Sequence, residues 1–342
     1  MEVYMLDKGF QTLALIDDFE SLIWRRKYFA CGEFSFYISA NMFESLKSAS
    51  YICKSDSDEI GIIESFKLTD TNLIIKGRFG RSLLSRYVIY PTVTVKNKSV
   101  GATLSEQVSE RMTGISIGNV VEGENITTQQ TGGTLMDWAD SLTIEQGLTH
   151  DIVYDYAENK LAFTVKQGRD LRQEQNVNNP VVFSPEWDNL IGFEYDHSER
   201  DYKNYAIVSG EDSGTDRKNV VVDMVADGDE RRELWVDAKS LRSDGFTQEE
   251  YLSNLEQYGR EKLSAYGRID CFSADVTADS YVYREDYDLG DIVNVSVPKY
   301  GIYADFRITE IEEVYEKGER SLSLTFGQGY LLVNEYIIRE LK

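Results

Sequence analysis

The sequence predicts a mainly β protein with α+β insertions. Three observations carry that expectation. Apolar residues alternate with polar ones over short runs bounded by turn residues. The aromatic load is heavy, with 22 Tyr and 15 Phe, residue types that fit a pleated surface. Only three segments combine helical apolar spacing with terminal signals, at about 103–112, 134–147 and 247–266.

Along residues 1–92 the run EFSFYIS (33–39) puts Phe34, Phe36 and Ile38 on one side of a strand. The runs 59–68 and 72–79 flank Thr69-Asp70-Thr71 and read as a hairpin. Several short strands with polar turns predict a small antiparallel barrel or sandwich for this first domain. An α/β domain follows over 93–180. Its first helix is expected to open with a capping box at Thr103-x-x-Glu106, to bury Leu104, Val108 and Met112, and to stop at Gly114. A second helix runs from Thr134 through Leu135, Trp138, Ala139 and Leu142 to Gly147, and 151–166 turns as a hairpin at Glu158-Asn159. The polar run 172–180, ending in Pro180, reads as a linker.

Strands return over 181–236, at 189–196, 202–210 and 219–226. Within 237–285, Thr247-x-x-Glu250 opens a helix with Leu252, Leu255, Gly259, Leu263 and Tyr266 on one side. Strands at 269–283, 291–297, 303–315 and 320–326 carry the chain through 286–328. The tail, 329–342, fits a short amphipathic helix or a strand equally well. Segments 61–80 and 305–327 share a layout of apolar strand with central Glu, polar turn, apolar strand and Gly. Either any hairpin gives that layout, or the chain holds two copies of one β-barrel, the second split between 181–236 and 286–328 by a helical insertion.

Composition bounds the function. Apolar residues at 42% and charged residues at 28% are globular proportions. The net charge of −23 argues against a protein built to hold nucleic-acid phosphates. Residues 1–96 carry 12 acids and 12 bases, so the whole excess lies in the remaining 246 residues, 47 acids against 24 bases. A boundary between domains with different surfaces accounts for this, and so does a negative channel wall that nucleic acid passes without sticking. The N-terminus lacks a signal-peptide layout and no stretch approaches 18 apolar residues, so a soluble product made in a reducing cytoplasm is expected, without membrane insertion.

No catalytic, cofactor-binding or metal-binding residue is predicted. His150 and His197 are the only histidines, 47 positions apart, and are expected in surface turns. Cys31, Cys53 and Cys271 are expected as small buried hydrophobes, with Cys31 and Cys271 in strands. Asp56-x-Asp58 fails as a calcium loop, because Ile60 and Lys67 stand where ligands are needed. Asp227-x-Asp229 reads as a solvated turn, and there is no GxSxG, Walker loop or GxGxxG. Trp24, Trp138, Trp187 and Trp235 are expected in packing roles.

Three spaced signatures carry a resemblance. The first is WRRKYFACGEFSFYI from Trp24 to Ile38, with Gly61-Ile-Ile-Glu64 and GRFGRSLLSR from Gly77 to Arg86. The second is NYAIVSG from Asn204 to Gly210, with RELWVD from Arg232 to Asp237. The third is YDLGDIV from Tyr287 to Val293, leading into RITEI from Arg307 to Ile311. The ordered set resembles the siphophage and prophage tail-protein family related to the baseplate hub of contractile phages.

The resemblance implies two similar β-barrels with α/β material between them, three copies closing a ring that offers pseudo-six-fold symmetry to a hexameric tail tube. It implies a non-enzymatic virion component, a homotrimeric hub joined to tail-tube, distal-tail and baseplate proteins on one face and to a spike or fibre on the other, with DNA only in transit. Larger relatives carry a wall-cleaving domain; as the chain stops at Lys342, such activity is expected on a separate polypeptide. Physically, Gly32 is expected at a close backbone approach, Trp24, Phe34 and Phe36 in the first barrel, and Gly290 at a positive φ. The rival readings are a tail-associated carbohydrate-binding or wall-degrading protein, and the equivalent hub of a phage-tail-like bacteriocin or injection particle.

Overall fold

The computed structural model describes residues 1–212, 214, 217–277, 280–316 and 318–327. The tail 329–342 lies outside the described residues. The fold is mainly β, and the chain divides into two compact units. Met1–Gln167, Lys203–Tyr266 and Glu313–Arg320 form the first; Gly168–Tyr202, Gly267–Glu312 and Ser321–Lys342 are assigned to the second.

The first unit opens with seven strands: β1 (Val3–Leu6), β2 (Thr12–Ile16), β3 (Ser21–Lys27), β4 (Glu33–Ser39), β5 (Tyr51–Lys54), β6 (Ile60–Leu68) and β7 (Asn72–Phe79), with the one-turn α1 (Phe43–Leu46) after β4. They pair antiparallel in the order β3-β4-β7-β6-β5-β1-β2. The alternation expected at 33–39 is the one observed. Phe34, Phe36 and Ile38 point inward, and Trp24 and Leu22 stand opposite Phe34 and Phe36 in register. With Val3, Met5, Ile52, Leu73, Ile75 and Phe79 they form one core, each large side chain contributing about 1.5–3 kcal/mol through burial. The β6–β7 hairpin is as expected, with a bulge at Ile63/Ser65. Gly32 does sit at a close approach: a Cβ there would lie 2.5 Å from the Arg25 carbonyl oxygen.

A 3-10 turn, Gly80–Arg86, leads to β8 (Val93–Ser99), α2 (Val100–Arg111), β9 (Ile115–Val120), β10 (Asn125–Gln130), α3 (Leu135–Glu145), β11 (Thr149–Asp155) and β12 (Lys160–Lys166). Strands β8 and β10 pair antiparallel; β11, β12 and β9 form a sheet in which β12 and β9 run parallel. Helix α3 follows expectation, with the Thr134 side chain capping the Asp137 N–H and Leu135, Trp138, Ala139 and Leu142 buried. Helix α2 does not. It starts a turn early, capped by Ser99, whose Oγ accepts from the Ala102 N–H at 3.2 Å. Thr103 is buried inside the helix, and Glu106 pairs with Lys98 at 2.6 Å instead of capping.

The second unit takes β13 (Val182–Phe183) and β14 (Leu190–Ser198). The stretch 172–180 is a loop tied by Gln175, whose Oε1 accepts from the N–H groups of Val177 and Asn178 at 2.8 Å. The chain then contributes β15 (Tyr205–Ser209), β16 (Asn219–Asp223), β17 (Glu233–Asp237) and α4 (Gln248–Ser264) to the first unit. Helix α4 opens with the expected capping box between Thr247 and Glu250. Its Leu255, Gly259 and Leu263 are buried, as are Tyr251 and Asn254, whereas Leu252 and Tyr266 are half-buried.

Strands β18 (Ile269–Val276), β19 (Ile292–Val297), β20 (Ile302–Glu316) and β21 (Glu319–Gly327) finish the described chain. In the second unit the order is β14-β18-β21-β20, with β19 on β20 and β13 parallel to β19. Phe183, Phe272, Phe306, Ile308 and Phe326 fill its core. The turn before β19 is built on Gly290 at φ 93°, and the Asp291 carboxylate accepts from the Asp288 N–H at 2.8 Å and from Arg169 at 2.7 Å. Among the described residues no helix is long and apolar enough to cross a membrane.

Candidate functional site

The residues with the most chemical potential lie in a buried polar cluster of the first unit. Arg81, from the 3-10 turn, donates to Asp140 Oδ1 of α3 through Nε at 3.1 Å and through a terminal nitrogen at 2.7 Å. Its other terminal nitrogen reaches the Tyr28 carbonyl and Thr149 Oγ1, both at 3.2 Å. His150 of β11 places Nε2 3.2 Å from the same Asp140 oxygen and Nδ1 3.2 Å from Thr143 Oγ1. The surface turn expected for His150 is therefore corrected. It is a strand residue, 1% exposed: Nδ1 has Thr143 Oγ1 as its hydrogen-bond partner, whereas Nε2 is buried near Asp140 without a well-formed hydrogen bond.

Burial and then the Arg81 charge hold the imidazole well below its usual pKa, so it is neutral. Burial pushes the neighbouring Asp151 carboxyl up to about 6, while it accepts from the backbone N–H of Arg81 at 2.9 Å. The Arg81 guanidinium, held by Asp140 Oδ1, the Tyr28 carbonyl and Thr149 Oγ1, ties together α3, β11 and the 3-10 turn.

The remaining residues also resolve. His197 is exposed as expected, but it belongs to β14 and pairs with Asp270 across the ladder at 2.7 Å. All three cysteines are free. Cys53 and Cys271 are buried in strands, and burial raises both thiols to about 11. Cys31 lies in the turn between β3 and β4, not in a strand, and burial raises its thiol to about 12, far from a reactive thiolate. Among the described residues no group of His, Cys, Asp or Glu is arranged to hold a metal ion.

A second feature is an outward-facing sheet surface. Strands β16-β15-β17 bury Val222, Val208 and Val236 against Leu255, Gly259 and Leu263 of α4. Their other face carries Val221, Ile207 and Trp235 side by side in register. Val221 is 50% and Trp235 60% exposed, so the row forms an outward apolar strip. Asp223, Glu233 and Asp237 frame this row, and Arg217 lies over the Trp235 ring at 5.9 Å from its centroid. The packing role expected for Trp235 is thus corrected, as is that of Trp187, 52% exposed; Trp24 and Trp138 are core residues. The signal was present in the alternation of RELWVD, where one face had to be outward, but strand pattern alone did not say which.

Residues 1–328 match the family described as Siphovirus ReqiPepy6 Gp37-like protein. The chain belongs to that siphovirus family. Solved structures share its fold at low identity. The tail protein from Neisseria meningitidis aligns with 96% of each chain at 13% identity and a TM-score of 0.62. The 43 kDa tail protein of prophage MuSo2 from Shewanella oneidensis aligns over 96% of this chain and 98% of its own at 10% identity, TM-score 0.59. Prophage tail protein gp18 from Listeria monocytogenes covers all of this chain and 98% of its own at 12% identity, TM-score 0.60. No curated protein matches.

Proposed function

We propose that this protein is a non-enzymatic structural component of a phage tail: a homotrimeric hub that joins the distal tail tube to a spike, fibre or receptor-binding apparatus. The family match over 1–328 carries the proposal, and the whole-length likeness to tail-protein folds accords with it. The finer plan, two similar barrels per chain making six in a trimer, draws support from two separate hydrophobic cores along one 13-stranded sheet, one against the β6–β7 hairpin and the other against the β20–β21 hairpin. A trimer with two like domains per chain could meet a hexameric ring by quasi-equivalent contacts.

Charge supports the DNA-transit part of this reading. The second unit carries 20 acids and 9 bases, net −11 in 103 residues, against −12 in the 239 residues of the first. Around Cys271 the side chains of Asp196, Glu310 and Glu194 add their charge to one region of its sheet. Such a surface facing a lumen would repel phosphates and keep passing DNA from adhering. The Val221–Ile207–Trp235 face is the proposed subunit or tail contact.

Localising the protein in particles by a gold-labelled tag tests this directly: label at the distal end of the tail is expected, and label on capsid or tail shaft would overturn it. Incubation of the purified protein with cell walls is expected to release no sugar or peptide fragments; measurable release would defeat the non-enzymatic part.

A further inference from the structure

Beyond any role in assembly, we infer that the second unit holds a binding groove for an uncharged hexopyranose chain, a segment of surface polysaccharide. The groove measures about 670 Å³, within the range of ligand sites, and is lined by Leu190, Phe193 and Tyr195 of β14 and by Tyr300 and Ile302 beyond β19. A bulge between Ile191 and Phe193, with Gly192 at φ 51°, re-aims Phe193 and Tyr195. Tyr300 is 60% exposed and Tyr195 40%. Tyr300 stands edge-on to Phe193 at 5.8 Å, and Lys299 lies over its ring at 5.1 Å. Two half-bare tyrosine rings along one groove offer the flat apolar faces on which the C–H face of a pyranose packs.

The polar edge has the matching chemistry. Tyr195 Oη donates to Asp270 Oδ1 at 2.9 Å, and His197 Nδ1 lies 2.7 Å from the same oxygen. Both contacts use Oδ1 and leave the lone pairs of Asp270 Oδ2 open. These are acceptors for sugar hydroxyl donors. Charge separates the ligand classes: with the Asp270 carboxylate at the tip of the groove residue Tyr195 and −11 on the unit, nucleic acid and phosphate-rich polymers are repelled. The inference is independent of the hub reading, since any tail protein exposed at a cell surface could use such a groove.

The test is calorimetric titration of the full chain with cellotetraose and with N-acetylglucosamine tetramer, using wild type, Tyr300→Ala, Tyr300→Phe and His197→Ala. Saturable millimolar or tighter binding of at least one tetrasaccharide is expected. Tyr300→Ala should weaken it about tenfold or more, as loss of a stacking face does, while Tyr300→Phe retains it. Thermal melts establish that each variant is folded. No binding of either sugar by wild type overturns the proposal, and so does binding that Tyr300→Ala leaves unchanged. Tyr300-dependent binding of tetralysine in place of the sugars would also overturn it, marking the groove as a site for a basic peptide.

Discussion

Lys54 Nζ lies 2.7 Å from Glu313 Oε2, and both side chains are fully buried although 259 residues separate them. Tyr315 Oη donates to the same carboxylate oxygen at 2.6 Å, and the Lys54 ammonium lies 5.4 Å from the Trp24 ring centroid. The pair ties β5, at one end of the chain, to the 313–320 segment that completes the first unit from the other end. Its energy is asymmetric: together the charges roughly offset their desolvation, but removing either leaves the other buried with weaker compensation, Asp56 at 3.4 Å for Lys54 and the Tyr315 hydroxyl for Glu313.

Lys54→Met alone or Glu313→Leu alone is therefore expected to cost about 3–5 kcal/mol, whereas the double variant recovers most of that loss. Denaturant unfolding of the three variants checks this. Equal destabilisation by the double and the single variants would show that the packing, not the stranded charge, sets the cost.

Glu261 of α4 gives a pH dependence. Burial, followed by repulsion from Glu145, raises its pKa from the ordinary 4.5 to about 7. The folded chain thus holds a proton that the unfolded chain releases, and stability falls as pH rises from about 4.5 to 7. Glu261→Gln removes the loss. It should stabilise the protein by about 1–2 kcal/mol at pH 8, less than the full shift implies because the side chain is half-buried and partly screened, and should give no gain at pH 4. Melting temperatures across that range provide the check; a gain at pH 4 as large as at pH 8 contradicts the assignment.

Gly77 of β7 is required by space. A Cβ there would lie 1.8 Å from the Ile62 carbonyl oxygen on the adjacent strand. Gly77→Ala should destabilise by about 3 kcal/mol or prevent folding, since backbone rather than a movable side chain stands in the way. Expression yield and chemical melts report it.

Ser99, not Thr103, caps α2. Ser99→Ala should cost about 1 kcal/mol, and Ser99→Asp should recover most of it. If Ser99→Ala is silent by urea titration, the helix does not begin where described.

Val221→Glu and Trp235→Asp place charges on the outward face of β16-β15-β17. The isolated chain should melt within about 0.5 kcal/mol of wild type, as surface substitutions do, while assembly into particles is impaired. Variants that assemble normally would remove this face from the contact surface.

How much of this was legible in the sequence depended on how local its cause was. The alternation at 33–39, the hairpin at 59–79 and the caps at Thr134 and Thr247 all arise from neighbouring residues, and each was readable. His150 was misplaced because its polar neighbours, Thr143 and Asp140, lie on α3, which only the fold brings against β11. Lys54 and Glu313 gave no signal, since a buried charge is identified by a partner that only the fold brings near. Trp235 showed the converse limit: a strand pattern gives two faces but not which one meets solvent.

Light scattering after size-exclusion chromatography, on the purified chain over a range of concentrations and with the tail-tube protein added, tests the proposed trimeric hub most directly. A mass of three chains, alone or on the tube, with hollow rings in negative-stain images, is the predicted result. A monomer at every concentration that also fails to assemble on the tube would contradict it.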